Sequence, residues 1–178
     1  MKFTVLVLLS TLTLAAVVAL ASDDDEGVSW FSGKNTSSFV QNESYKTECG
    51  DCHMAYPAFL LPSDAWAKLM DGLDDHFGDN AELDQDVEAE LRDYLMTHAA
   101  DKTNVRLGKK MLRAGGIDMR ISTSRYIKNK HRGELPRDIF TRGDVNSLAQ
   151  CDACHKNAAL GSFRESEIDI PGYGRWDD

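Results

Sequence analysis

Beyond residue 21 this chain has no apolar run approaching membrane-spanning length, no nucleotide-binding glycine loop and no calcium loop. The acidic stretch Asp71–Asp86 lacks the glycine and glutamate placements that an EF-hand requires, and a solvated helix junction accounts for it. Strand signals are weak throughout, and the apolar spacing that does occur is helical. These absences exclude a P-loop or dinucleotide enzyme and a calcium switch, and they point to a mainly α architecture. Cysteine is scarce as well, with 4 in 178 residues. Their placement carries more than their number.

All four cysteines fall in two copies of Cys-x-x-Cys-His, at Cys49-Gly50-Asp51-Cys52-His53 and Cys151-Asp152-Ala153-Cys154-His155. A four-cysteine zinc ribbon usually separates its pairs by about 15–20 residues, and here almost a hundred intervene. A thioredoxin-like redox pair would want a βαβ context, which is missing. Histidine follows both pairs, and with 5 histidines in the chain that coincidence arises by chance about once in a thousand. The five-residue spacing is that of covalent c-type haem attachment: two thiols add to the porphyrin vinyl groups and the adjacent histidine binds iron. Cys49, Cys52, Cys151 and Cys154 are therefore the expected thioether residues of two haems. His53 and His155 are one axial ligand each.

Residues 1–21 read as a cleaved secretory signal, with Lys2 as the only charge, an uncharged run from Phe3 to Leu20, and small residues at Ala19 and Ala21. Retention of that run as a membrane anchor is the alternative. Export agrees with covalent haem, which is attached outside the cytoplasm, and no membrane span is expected after cleavage. Residues 22–42 form an acidic, polar lead-in. What remains allows an N-terminal haem domain over 43–102 and a C-terminal one over 103–178. The net charge of −9 is unevenly spread: residues 22–102 hold 19 acidic and 5 basic side chains, whereas residues 103–178 hold 10 acidic and 14 basic. Such a dipole orients a charged partner on approach, and no nucleic-acid partner is expected.

The first motif is expected to open a short helix ended by Pro57 and Pro62. Trp66, Leu69, Met70, Leu73 and then His76 or Phe77 predict a helix capped by Ser63 and stopped at Gly78. A second helix follows Asp84, with Val87, Leu91, Tyr94, Leu95 and His98 on its apolar side. A basic helix spans about Val105–Arg113, residues 117–135 are short and mixed, and a brief helix lies near Pro136–Arg142. The second haem helix is expected over Ser147–Ala158, before an irregular tail.

The sixth position on each iron decides the chemistry, since a filled position makes a carrier and an empty one a binder or catalyst. His76, His98 and His131 are the remaining histidines. Spacing alone does not separate His76 from His98 as partner for haem 1. For haem 2, His131 stands in a basic run that would ordinarily be solvated surface, with Met111 and Met119 as alternatives. Met70 and Met96 read as packing, and Met54, next to His53, cannot reach the opposite haem face.

Further residues carry a resemblance. Cys49 through Pro57, Leu60-Leu61-Pro62, Trp66, Leu69-Met70, Asp75-His76-Phe77-Gly78, Asn80-Ala81 and Leu83-Asp84 are similar to the bacterial dihaem cytochrome c family. Tyr94-Leu95, Ala99-Ala100-Asp101, Lys130-His131-Arg132 and the second motif continue it, over about residues 45–171. The resemblance implies two small haem-wrapping domains. The N-terminal one is similar to small mono-haem cytochrome c, and the C-terminal one is smaller and less regular. It implies bis-histidine iron, His53 with His76 and His155 with His131. His98, the weaker alternative for haem 1, stands where the family usually has asparagine. It further implies a periplasmic electron carrier, with a membrane b-type cytochrome as donor and a mono-haem, oxygen-binding cytochrome c as acceptor. The rival is a dihaem peroxidase-like enzyme, or a ligand-binding haem protein with one open iron; known dihaem peroxidases are about twice this length as the resemblance guides.

Two haems in so short a chain leave each with a marginal core unaided. The chain with both motifs changed Cys→Ser is expected to be poorly folded, and a native-like helical circular dichroism spectrum from it would contradict this.

Overall fold

Asn42 starts the first helix, α1 (Glu43–Cys49): its side-chain oxygen accepts from the Tyr45 amide at 2.7 Å, satisfying a donor that the first turn leaves unpaired. In this computed structural model, which describes Phe39 and residues 42–116, 118–133 and 135–176, α1 ends on the first cysteine of the motif. The expected signal segment 1–21 and most of the lead-in 22–42 lie outside the described residues. The expectation that the motif opens a helix is reversed. The helix precedes the motif and delivers Cys49, and the chain then bends away at Gly50, where a Cβ would collide with the Lys46 carbonyl oxygen.

Helix α2 (Ser63–Met70) is flanked by Pro62, and Ser63 is its first helical residue rather than its cap. The cap comes from afar: the Asp101 carboxylate accepts from the Ser63 amide at 2.7 Å and from its hydroxyl at 2.8 Å. The helix stops eight residues before Gly78, because Gly72 and a 3-10 turn at Leu73–Asp75 take over. Helix α3 (Gln85–Thr97) follows Asp84 as expected and buries Leu91, Tyr94 and Leu95 against α2. Trp66 and Met70 fill the space between, and the Trp66 indole N–H donates to the Ala58 carbonyl at 2.7 Å.

Helix α4 (Arg106–Ala114) matches the expected basic helix and turns Gly108 and Met111 inward. Helix α5 (Arg125–Lys130) had no counterpart in the sequence reading, because six residues are too few to display a period. Ser124 caps it and Gly133 lies just past its end. One large apolar cluster unites these elements, with Leu60, Leu61, Leu91, Leu95 and Met111 fully buried. It also takes in Val105 and Ile121, so it runs past residue 102, where the charge changes sign. Charge and packing thus divide the chain at different points.

A second, smaller cluster gathers Ile139, Val145 and Ile170. The expected helix across the second motif is absent, and two separate 3-10 turns, Cys151–Ala153 and Ala158–Leu160, take its place. Between residues 147 and 158 only Ala158 is buried, which is too little apolar face to hold a helix together. The tail, expected to be irregular, forms a short antiparallel ladder. Strand β1 (Asp169–Ile170) pairs with β2 (Gly174–Arg175), Asp169 opposite Arg175 and Ile170 opposite Gly174. The Asp169 amide donates to the Cys154 carbonyl at 3.0 Å, so this hairpin closes against the second motif.

Helix α4 approaches the 3-10 turn Ala58–Leu60 so closely that a Cβ at Gly108 would sit 2.5 Å from the Phe59 carbonyl oxygen and 3.3 Å from the Ala100 Cβ. Gly108→Val is expected to destabilise the protein by about 1–3 kcal/mol through overpacking. A lowered denaturant midpoint at unchanged slope would register it.

Candidate haem centres

The first centre is assembled from two turns fastened to the same core. His53 follows the bend after α1, and its Nδ1 lies 2.8 Å from the Met54 carbonyl oxygen. His76 sits on a tight reversal after the Leu73–Asp75 turn. Its amide donates to the Asp79 carbonyl at 2.7 Å, and the Gly78 amide donates to the Asp75 carboxylate at 2.9 Å. Phe77 (φ 59°) and Gly78 (φ 106°) supply the left-handed backbone that this reversal demands. The Ala81 amide donates to the Leu73 carbonyl at 2.8 Å and anchors the turn to buried Leu73.

These turns bring the His53 and His76 rings to a centroid separation of 6.3 Å, with planes 29° apart. The second centre repeats the spacing by a different route. His131 terminates α5, its Nδ1 2.8 Å from the Ile127 carbonyl oxygen, and His155 is held by its amide's 2.8 Å bond to the Cys151 carbonyl. Their centroids stand 6.1 Å apart, with planes 79° apart. A metal–imidazole bond is about 2.0–2.1 Å and the ring centroid lies about 1.1 Å beyond the nitrogen, so two imidazoles on one metal ion stand roughly 6.3 Å apart. Both pairs meet that requirement.

His98 does not join either pair. Its ring rests on Tyr94 at 4.8 Å and its Nδ1 lies 2.8 Å from the Tyr94 carbonyl, on the last turn of α3. Met70 and Met111 are buried in the main core, as packing residues are. The ring nitrogens favour metal binding where they pair. A carbonyl beside Nδ1 of His53 and of His131 holds the proton there and leaves the Nε2 lone pair free. Burial, then the neighbouring His131, pushes His155 down to about 4, so its imidazole is neutral, as a ligand must be. Burial likewise lowers His76, helped by His53 and Arg120 and opposed by Asp79.

The thiols tell the same story. Burial, with Glu48 beside it, pushes Cys49 up to about 11, and burial with Asp152 pushes Cys151 up to about 12. Cys154 is also raised, mainly by burial. An uncharged thioether suits such buried surroundings better than a thiolate would. Cys52 is the exposed member of the four.

Two residues at these centres were given no role in the sequence reading. Tyr56 lies with its ring 4.8 Å from that of His53; its position three residues beyond the motif was the available signal. Arg120, from the basic half, places its guanidinium carbon 4.0 Å from the centroid of exposed Phe77. Nothing in its sequence neighbourhood marks it, because the contact joins segments far apart in the chain.

No curated protein matches the chain. Among solved structures, a diheme cytochrome c from Shewanella baltica OS155 is 41% identical, with 78% of this chain and 99% of that one covered at a TM-score of 0.64. A diheme cytochrome c from Rhodobacter sphaeroides is 35% identical, with 71% of this chain and 100% of that one covered at a TM-score of 0.61. The family model described as dihaem cytochrome c matches residues 45–163, from α1 to just beyond the second motif. With two thirds of the chain so matched, this protein belongs to the dihaem cytochrome c family, holding two covalently attached c-type haems and working by haem-based electron transfer.

Proposed function

We propose that the protein is an exported, periplasmic electron carrier whose two irons are each closed by two imidazoles. Cys49 and Cys52 hold haem 1 and Cys151 and Cys154 hold haem 2. His53 and His76 ligate the first iron, and His155 and His131 the second. The observation that carries this reading is the pair of centroid separations, 6.3 and 6.1 Å, each that of two imidazoles on one metal ion. Imidazole on both sides leaves no free position for peroxide or a gas, so the task is transfer of single electrons rather than catalysis. It also stabilises ferric iron relative to a His/Met pair, which sets both potentials low.

Partner choice follows from charge. Exposed Asp74, Asp75 and Asp79 flank His76, whereas exposed Lys128, Lys130 and Arg132 flank His131. A cationic surface therefore docks at the first centre and an anionic one at the second. The donor suggested by the family resemblance is a membrane b-type cytochrome, and the suggested acceptor is a mono-haem, oxygen-binding cytochrome c. Among the described residues no helix is long and apolar enough to cross a membrane.

Ferric electron paramagnetic resonance tests the ligand sets. Axial imidazoles 29° apart split the iron dxz and dyz orbitals well, and a rhombic low-spin signal is expected from haem 1. Planes 79° apart leave those orbitals nearly degenerate, and a signal with a much larger highest g value is expected from haem 2. His76→Ala should abolish only the first signal and turn that haem high-spin, and His131→Ala only the second. Loss of the first signal in His98→Ala instead would overturn the haem 1 assignment. Reduction of haem 1 by a small cationic reductant should slow as salt rises toward 1 M, where screening reaches about 3 Å; an unchanged rate would remove the charge argument.

A further inference from the structure

Tyr56 belongs to neither motif and to neither histidine pair, yet it touches both centres. Its main-chain carbonyl accepts from the Tyr45 hydroxyl at 2.9 Å, which ties it to the main core. Its ring lies 4.8 Å from that of His53, with planes 31° apart. Its hydroxyl donates to the Ala149 carbonyl at 2.5 Å, across 93 residues of sequence and two residues before Cys151. The acceptor is itself braced: the Ala149 amide donates to the Ser147 hydroxyl at 3.2 Å and the Gln150 amide to the Ser147 carbonyl at 3.1 Å.

We propose that Tyr56 is the positioning residue that couples the two centres, its ring orienting the His53 imidazole and its hydroxyl holding the second attachment sequence against the first. The ring half of this rests on His53 being a haem 1 ligand; the hydroxyl half does not. From its C-terminal side that sequence is held by the hairpin, whose Asp169 amide donates to the Cys154 carbonyl at 3.0 Å. Around Cys151 the chain has only a single 3-10 turn and no buried apolar side chain between residues 147 and 157. A bond to a braced carbonyl therefore adds, on the N-terminal side of the motif, a constraint that local structure does not supply. A tyrosine loses only two side-chain torsions in making this link, and phenylalanine can fill the same space without the bond. Burial, with Cys151 and Asp152 nearby, keeps the phenol protonated and able to donate.

The two halves separate experimentally in the full protein with both haems attached. Tyr56→Phe should speed hydrogen exchange about fivefold at the amides of Cys154 and His155, both of which donate to the Cys151 carbonyl. In that variant α3 amides should stay within about twofold of the parent, and both ferric signals should remain low-spin and unshifted. Tyr56→Leu, which also removes the ring, should in addition shift the highest g value of the haem 1 signal, and phenylalanine should rescue that shift but not the exchange. Parent-like exchange at Cys154 and His155 in Tyr56→Phe would overturn the proposal. So would acceleration spread evenly through α3, the mark of an ordinary core residue, or an unmoved haem 1 signal in Tyr56→Leu. A haem 1 that is high-spin in the parent protein would instead overturn the ligand reading, and the exchange result would still judge the hydroxyl.

Discussion

Two rings held about 6 Å apart cannot both ride on loose chain, and the turns that carry His53 and His76 are fastened to one apolar core. His53 is fixed because α1 ends rigidly at Cys49 and the motif bends back over buried Met54. His76 is fixed because its reversal is stitched to Leu73, inside the main cluster. Under the proposed ligand set, a ring displaced by even an ångström on either side would fall out of reach of a shared metal ion, since a metal–nitrogen bond tolerates only about 0.2 Å. The large apolar cluster is thus a jig for the first centre as much as a source of stability.

The second centre meets the same spacing with far less secondary structure. His131 inherits its position from a helix of six residues capped by Ser124, and His155 from a 3-10 turn closed by the β1–β2 hairpin. Among the described residues its apolar cluster has three buried members against sixteen in the first. A covalently attached porphyrin supplies apolar surface that so small a core lacks. The unequal architecture also explains why the imidazole planes differ so much between the centres. A turn and a helix end carry the second pair of rings, whereas two turns carry the first.

Packing joins what charge separates. The acidic half and the basic half share one apolar cluster, with Val105, Met111 and Ile121 from the basic side seated beside Leu61 and Leu95 from the acidic side. Arg120 crosses to lie over Phe77, next to the first histidine pair. The surface can therefore present two differently charged faces while the interior holds the two centres in one fixed relation. For a protein that passes electrons, both conditions matter: partners are sorted by surface field, and transfer depends on unchanging distance.

The covalent chemistry was legible in the sequence by itself, because attachment needs residues adjacent in the chain and Cys-x-x-Cys-His is a local pattern. So were α3 and α4, whose apolar residues recur over enough turns to show a helical period. Periodicity failed where helices were too short to repeat, as in α5, or where burial was too sparse to hold one, as across residues 147–158. Spacing alone also left His76 and His98 equivalent, since both lie on or near apolar helical faces. Only the tertiary structure turned one toward His53 and folded the other back on Tyr94. The physical reason is that which imidazole faces which depends on how a reversal at Phe77 and Gly78 is anchored through Leu73 to a distant core, just as the Tyr56–Ala149 bond ties together segments 93 residues apart. Neither leaves a local trace in the order of the amino acids.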